Sequence, residues 1–492
     1  MTDYEYDLGI IGGGAAGLTV ASGAAQLGAK TLLIEKEALL GGDCLHYGCV
    51  PSKTLIRSAH VYHQMKHAHR FGLPAVNVPP VDFGSIARRI REVIAIIQEH
   101  DSTERFCKLG AQVEFGNAFF KDGHTVDLDG RSITAKNWVL ATGSSAAIPP
   151  IPGLNEIDFI TSHEIFSLET LPASMIVLGA GPIGIEMAQA FNRLGTTVTV
   201  VSRSNQILGK EDKDMADAAQ SALAVEGVCF QLDAAIEQVS ASGNRKTVRV
   251  KPAHGEAIDL EAEAVLVAMG RAVNVGGLRL EAAGVEFDQT GITVDARLRT
   301  SRKHIFAAGD VSGGHQFTHA AGYEGGVVVS NAVFHLPRKV DYTWLPWCTY
   351  TDPELASIGM NEGTAKAAGI QYSVWTEAFR DNDRALAEGR SDGRIKLILD
   401  KKEKPVGVQI LGLRAGDLIA EWVAMLNGGV KLSTLASAVH PYPTLGEINK
   451  RVTGNIFSPK IFSPTVRKGL KFFFNLKGRA CKPEVCEYQT PS

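Results

Sequence analysis

Two cysteines five positions apart carry the first chemistry in this chain. They stand in Gly41-Gly42-Asp43-Cys44-Leu45-His46-Tyr47-Gly48-Cys49-Val50-Pro51-Ser52-Lys53. In a continuous helix their Cα atoms would lie about 8.6 Å apart, beyond the roughly 4.4–6.8 Å that a disulfide spans. Gly48 and Pro51 supply the irregular turn expected to bring the sulfurs together. The pair then sits near a helix start, where the positive end of the dipole stabilises a thiolate. Zinc is the competing reading, but structural zinc takes four ligands at closer C-x-x-C spacings. No second cysteine pair lies nearby.

A redox pair needs an electron source, and the elements around it supply the place for one. Asp7 to Ile11 reads as a buried strand and runs into Gly12-Gly13-Gly14-Ala15-Ala16-Gly17, a G-x-G-x-x-G turn. A helical run to Leu27 and a strand from Thr31 to Ile34 follow, closed by Glu35. Gly12, Gly14 and Gly17 let the backbone approach a pyrophosphate at the helix N-terminus, and the acid takes the ribose hydroxyls. Alone, the glycines would mark only a tight turn; the strand, helix, strand and acid in register make a dinucleotide unit. The unit returns at Met175 to Val201 with Gly179, Gly181 and Gly184. The offset of 167 residues carries Glu35 onto Ser202, followed by Arg203 and Ser204, with Lys210 further on. A carboxylate there would repel a 2'-phosphate, whereas Ser and Arg hydrogen-bond it. Site one is therefore expected to take FAD or NAD, and site two NADPH in preference to NADH. A solvated surface charge is the plain alternative for Arg203. Two dinucleotides in one chain imply a flavin fed by a nicotinamide. Lys53, on the helix that follows the cysteines, is then a fixed positive charge that raises the flavin's electron affinity.

The bulk numbers agree with this reading. At about 150 residues per domain, 492 residues suggest three domains. Hydrophobic content of 45% with 21% charge is ordinary for a globular protein, and a net charge of -3 gives no reason to expect nucleic acid. Seven cysteines in this length do not make a disulfide scaffold. The acidic start MTDYEYDLGIIGGG resembles no secretory signal, and no apolar run reaches about 18 residues. Cytoplasm is the expectation. Cys107, Cys229 and Cys348 stand alone in apolar surroundings and read as core residues.

GGDCLHYGCVPSK resembles the redox-active signature of the pyridine nucleotide-disulfide oxidoreductases, the family of dihydrolipoamide dehydrogenase, glutathione reductase and mercuric reductase. Leu140-Ala141-Thr142-Gly143-Ser144 is similar to the family's crossing out of the FAD region, and Val267-Ala268-Met269-Gly270-Arg271 with Asn274 to the crossing back. Ile305-Phe306-Ala307-Ala308-Gly309-Asp310 resembles the second FAD motif, whose acid hydrogen-bonds the ribityl chain. Glu186 stands where the family places the partner of the lysine matching Lys53. The likeness also puts Ala118 and Thr318 among the cofactor contacts. It implies an α/β fold of two Rossmann-like domains, with residues 1–150 and 272–340 binding FAD and 151–271 binding NAD(P). A C-terminal α+β interface domain at 341–455 forms a homodimer. Strands Gly393 to Asp400 and Pro405 to Leu411 beside a helix Asp417 to Leu426 agree with that last region. By the same likeness Cys49 faces the flavin and Cys44 is the interchange thiol.

One motif departs from the family. Members acting on disulfides carry a His before Pro-Thr and a Glu five residues after the His. Here the run is His440-Pro441-Tyr442-Pro443-Thr444-Leu445-Gly446-Glu447, with tyrosine at the base position. A phenol titrates near 10 and is a poor base at pH 7; His440 is a substitute, though Pro441 stiffens the chain between them. Tyrosine here, Ser202-Arg203-Ser204, and Ile56-Arg57-Ser58-Ala59-His60 after the pair resemble mercuric reductases. In those, a soft metal ion replaces the disulfide substrate. Their adjacent terminal cysteines are replaced here by Cys481 and Cys486, which either bind a soft ion transiently with Cys44 and Cys49 or form an incidental pair. From Lys460 to Lys482 there are seven Lys/Arg and no Asp/Glu, interleaved with Phe462, Val466, Leu470, Phe472, Phe473, Phe474 and Leu476. Such a basic amphipathic tail, residues 456–492, lies on an anionic membrane, docks a partner, or packs on the interface domain. The leading expectation is an NADPH-dependent flavin reductase acting on a soft metal ion or small disulfide. Dihydrolipoyl dehydrogenase is the alternative within the enzymes. A membrane-peripheral redox sensor or electron-delivery subunit is the alternative of another class.

Overall fold

The computed structural model describes residues 4–480; Cys481 and Cys486 lie outside the described residues. By internal contacts the chain divides into two compact units, one ending at Leu355 and the other beginning at Ala356.

The first unit is built on a parallel sheet. Its strands run in the order Ala111–Phe115, Thr31–Glu35, Tyr6–Ile11, Arg131–Leu140, and Ile305–Ala307 flanks the last of these in parallel. The N-terminal half of Arg131–Leu140 instead pairs antiparallel with Thr125–Leu128, which hairpins onto Ala118–Phe120. Strands covered on both faces must be apolar throughout, and Leu32, Leu33 and Ile34 are fully buried in succession. Trp138 packs where Gly9 leaves room: a Cβ on Gly9 would stand 2.3 Å from the indole ring. The indole N–H donates to the His124 carbonyl at 2.9 Å.

A second parallel sheet repeats the arrangement with strands Cys229–Gln231, Thr197–Val201, Ser174–Leu178 and Ala264–Val267. Its neighbour is a three-stranded antiparallel sheet of Ala234–Ser242, Arg245–Pro252 and Ile258–Ala262, and the two share one apolar core through Val248, Val250, Ile176 and Leu178. The short strands Ser144–Ala146 and Arg271–Val273 pair antiparallel, so both chain crossings between the halves run side by side.

The second unit is α+β. Strands Tyr372–Ala378, Arg394–Asp400 and Pro405–Gly412 form an antiparallel meander, with helices Ala415–Asn427, Leu432–Ser437 and Glu447–Ile461. Trp422 is fully buried and donates to Asn449 Oδ1 at 2.9 Å. Helix Pro464–Phe474 follows and buries none of its residues. Among the described residues, no helix is long and apolar enough to cross a membrane.

Two expectations are corrected. Cys107 and Cys229 are exposed rather than in the core. Cys107 sits on the short helix Thr103–Lys108, of which only Phe106 is buried, and Cys229 opens an edge strand. Replacing Trp138 by alanine is expected to lower the unfolding free energy by about 3–5 kcal/mol. Val225→Ala, at a position 90% exposed, should stay within about 0.5 kcal/mol. Denaturant melts of the two variants measure both.

Candidate active site

The glycine turns define the walls of the site. Gly12 has φ +110°, and a Cβ there would come within 2.3 Å of the Ala141 carbonyl oxygen. Gly14 caps helix Ala15–Gln26 and Gly181 caps helix Pro182–Leu194, neither with a side-chain hydrogen bond. Both helix starts therefore present backbone amides that no side chain satisfies, the arrangement that holds a pyrophosphate. Glu35, almost fully buried, accepts from the Gly13 amide at 2.6 Å and from the Glu37 amide at 2.9 Å. Each carboxylate oxygen has one backbone donor and retains acceptor capacity for a ribose hydroxyl.

The cysteine segment packs directly on the first of these turns. Gly41 and Gly42 both have positive φ, and a Cβ on Gly42 would meet Gly14 Cα at 2.7 Å. Helix Gly42–His46 then stops at Tyr47, and a new helix, Cys49–Lys66, begins after Gly48. The break is at Tyr47-Gly48. Pro51 makes no part of it, because it lies in the first turn of the second helix, where a missing N–H costs nothing. The break lets the two thiols share a hydrogen bond, which holds the Cys49 thiol down at about 6 and pushes Cys44 well up. Burial adds to the rise at Cys44. At Cys49 burial opposes the fall, and Thr318, whose hydroxyl is 3.4 Å from the sulfur, and Lys53 support it.

Lys53 Nζ is 2.8 Å from Glu186 Oε2, and Glu186 is nearly fully buried on the helix of the second glycine unit. The Tyr350 backbone N–H donates to Glu186 Oε1 at 2.9 Å, and the Tyr350 ring lies 4.4 Å under Lys53 Nζ. Arg271 reaches Asp43 Oδ2 at 3.1 Å and Asp310 Oδ2 at 3.5 Å, while its Nε donates to Ser144. Burial raises the Asp310 carboxyl in spite of these partners. Thr142 and Asn274 exchange hydrogen bonds at 2.7 and 2.9 Å across the paired crossings. The Gly309 amide donates to buried Glu324 at 2.6 Å.

Most of these groups, though not Glu324, line one cavity of about 1230 Å³ in the first unit, together with Ala118, Gly143, Gly270, Ser202, Arg203, Ser204 and Lys210. It is larger than the roughly 300–1,000 Å³ of a single small-molecule pocket. Asp43 Oδ1 is buried with no hydrogen-bond partner, an acceptor that a hydroxyl-bearing ligand would satisfy. The uncapped helix starts, the glycine cradle, Glu35 and this lone acceptor fit a dinucleotide.

Comparison with known proteins agrees with the geometry. Residues 6–325 match the family described as pyridine nucleotide-disulphide oxidoreductase, and residues 345–452 match the dimerisation domain of the same family.

The chain belongs to the pyridine nucleotide-disulphide oxidoreductases.

It is similar to a mercuric reductase of Bacillus cereus, with 34% identity over 90% of this chain and 70% of that protein. A dihydrolipoyl dehydrogenase of Geobacillus stearothermophilus is 36% identical over 89% of this chain and 93% of its own. Among solved structures, the HOCl-induced flavoprotein disulfide reductase RclA of Escherichia coli superposes with a TM-score of 0.82 at 28% identity, covering 91% of this chain and 99% of RclA. The protein is thus a flavoprotein disulfide oxidoreductase, an FAD-dependent enzyme of the pyridine nucleotide class.

In this oxidoreductase, the residues at the expected base position lie in the second unit. The Tyr442 hydroxyl donates to Asp383 at 2.8 Å, Tyr442 is 70% exposed, and the neighbouring carboxylate raises its phenol further. His440 Nε2 is 2.9 Å from Glu421 Oε1. Glu447 opens helix Glu447–Ile461 and accepts the Thr444 amide at 3.4 Å.

Sequence reasoning missed Tyr350, because nothing in its neighbourhood signals a partner 164 positions away. It also misread Cys348. That thiol is half-buried, lines the cavity, and is raised by burial first and then by Glu354 and Glu186. Lys53→Met is expected to raise the Cys49 thiol, since it removes a cation that lowers it and leaves Glu186 beside the sulfur. The pH dependence of thiolate ultraviolet absorbance in the reduced protein measures this. Tyr350→Phe, which keeps both the ring and the backbone N–H, should titrate as the parent does.

Proposed function

We propose that this flavoprotein is an NADPH-dependent homodimeric reductase that delivers an electron pair through Cys44 and Cys49 to a soft metal ion such as Hg(II), or to a small disulfide. The observation that carries the acceptor assignment is Tyr442. It stands where disulfide-reducing relatives have a histidine base, and its hydrogen bond to Asp383 pushes the phenol further from neutrality. A disulfide substrate leaves as thiols and needs protons moved. A soft dication needs only two thiolates to bind it and two electrons. The balance is then NADPH + Hg(II) → NADP⁺ + Hg(0) + H⁺.

FAD would be held by Gly12, Gly14, Gly17, Glu35, Ala118, Thr142, Gly143, Gly309 and Asp310, and when bound would supply the two-electron relay between the nicotinamide and the disulfide. The chain's own groups do the rest. Glu186 fixes Lys53 Nζ as a positive charge at the cavity wall. Cys49, with its depressed thiol, is the thiolate kept at neutral pH. Cys44, whose thiol is raised, holds the proton and is the interchange thiol. Thr318 steadies the Cys49 sulfur. Gly179, Gly181 and Gly184 receive the nicotinamide dinucleotide, with Ser202, Arg203 and Lys210 as the donors for a 2'-phosphate and Gly270 and Arg271 closing the crossing. Tyr442 and Glu447, supplied by the partner subunit, shape the acceptor site.

A second reading, dihydrolipoyl dehydrogenase with NADH, is favoured by one observation. His440 is held 2.9 Å from Glu421, the orientation that prepares an imidazole for proton transfer. Lipoamide reduction that survives Tyr442→Phe and not His440→Ala would select it.

The test is anaerobic titration of the yellow protein with NADPH and NADH, followed by Hg(II), lipoamide or glutathione disulfide in turn. A long-wavelength band on reduction, discharged by Hg(II), is the expected result. Plain flavin bleaching with no band would remove the Cys44–Cys49 route. Arg203→Ala should raise the NADPH KM about tenfold to a hundredfold, the range for a lost charge-assisted hydrogen bond, and leave the NADH KM unchanged.

A further inference from the structure

Helix Pro464–Phe474 takes no part in the redox site, and its structure is specified by its own sequence. Ser463 caps it by accepting the Val466 amide at 3.3 Å, Pro464 occupies the first turn, and Asn475 closes it in the left-handed region at φ +49°. Eleven residues make a marginal helix in water unless an apolar face is covered, and this helix buries none of its residues. At 100° per residue, Val466, Leu470, Phe473 and Phe474 fall within an arc of about 100°, with Lys468 opposite it and Arg467 and Lys471 along one flank. Phe472, Phe473 and Phe474 are 82%, 77% and 71% exposed. No Asp or Glu occurs between Lys460 and Ala480.

We propose that helix Pro464–Phe474 lies in the interface of an anionic lipid bilayer, apolar side inward, and seats the chain on the membrane surface. Charge decides the kind of surface: an acid-free segment with cations at 467, 468, 471, 477 and 479 is complementary to anionic headgroups. The rings decide between lipid and a protein groove. A groove takes a single stripe at i, i+3, i+4 and i+7. Three consecutive phenylalanines fan over about 200° of the helix circumference, and Phe472 lies outside the stripe. A fluid interface accepts that spread, with the lysines snorkelling to the headgroups. This inference does not depend on the electron acceptor.

The test is co-sedimentation of the full-length flavoprotein with phosphatidylcholine vesicles, with and without phosphatidylglycerol. Binding is expected only to the mixed vesicles, with release at about 1 M salt, where the screening length falls to about 3 Å. Lys468→Gln and Lys471→Gln should each weaken partitioning about fivefold. The pair Leu470→Ser and Phe473→Ser should abolish it while the flavin spectrum and NADPH oxidation stay as in the parent, since no core residue is touched. Failure of the parent to bind mixed vesicles overturns the proposal, as does parental binding by the Leu470→Ser, Phe473→Ser chain. A tail that docks a second copy instead would leave the parent off the vesicles and lower the sedimenting mass on truncation after Phe462, which also overturns it.

Discussion

Lys53 and Glu186 come from helices 133 positions apart, and their contact ties the cysteine helix to the helix of the second glycine unit. A carboxylate as buried as Glu186 is costly without a cation and hydrogen bonds. Lys53 supplies the cation, and the Tyr350 amide supplies a second donor to the other oxygen. The tyrosine ring under the ammonium adds a cation–π contact at 4.4 Å. Three segments of chain are thus held by one ion pair. Everything that puts a positive charge near the thiols follows from it.

The cysteine pair shows how small differences in surroundings separate two identical groups. Cys44 and Cys49 share one hydrogen bond, and it acts in opposite senses on the two sulfurs, lowering one and raising the other. Burial opposes ionisation at both. Only Cys49 has enough on the other side, namely its neighbour's proton, the Thr318 hydroxyl and the Lys53 charge. The result is one thiol held down and one pushed up, the division on which the roles proposed for Cys49 and Cys44 rest. The backbone break at Tyr47-Gly48 makes it possible, because a continuous helix would hold the sulfurs apart.

The two nucleotide units share a sheet order and a glycine turn and differ at one strand end. Glu35 spends part of its hydrogen-bonding capacity on the backbone of its own turn, which fixes the carboxylate at the cavity wall. At the corresponding place the second unit has Ser202, whose hydroxyl accepts the Ser204 amide at 3.1 Å, with Arg203 exposed beside it. The same fold therefore offers an acceptor at one site and donors at the other. Mercuric reductases and dihydrolipoyl dehydrogenases are both similar to this chain over about nine-tenths of its length.

Local pattern was enough for the fold and for many of the residues that the structure brings together around the cavity. The glycine spacings, the buried strand before each and the acid or arginine after each are short-range signals, since a pyrophosphate-binding turn is made within about 30 residues. The cysteines, Lys53 and the crossings at Thr142 and Gly270 were legible for the same reason. What lay beyond the sequence were contacts between distant segments and the burial they produce. Pro51 read as part of the turn, yet the break needed only Tyr47-Gly48, because proline fits the first turn of the following helix. Cys107 and Cys229 read as core, yet a half-exposed helix and an edge strand placed them at the surface. Tyr350 gave no local sign of its place between Lys53 and Glu186, and Cys348 none of its place at the cavity. Residue types and spacings set which chemistry was available; the packing of distant helices set which sulfur carries the charge, because ionisation depends on neighbours that only the folded chain brings within a few ångströms.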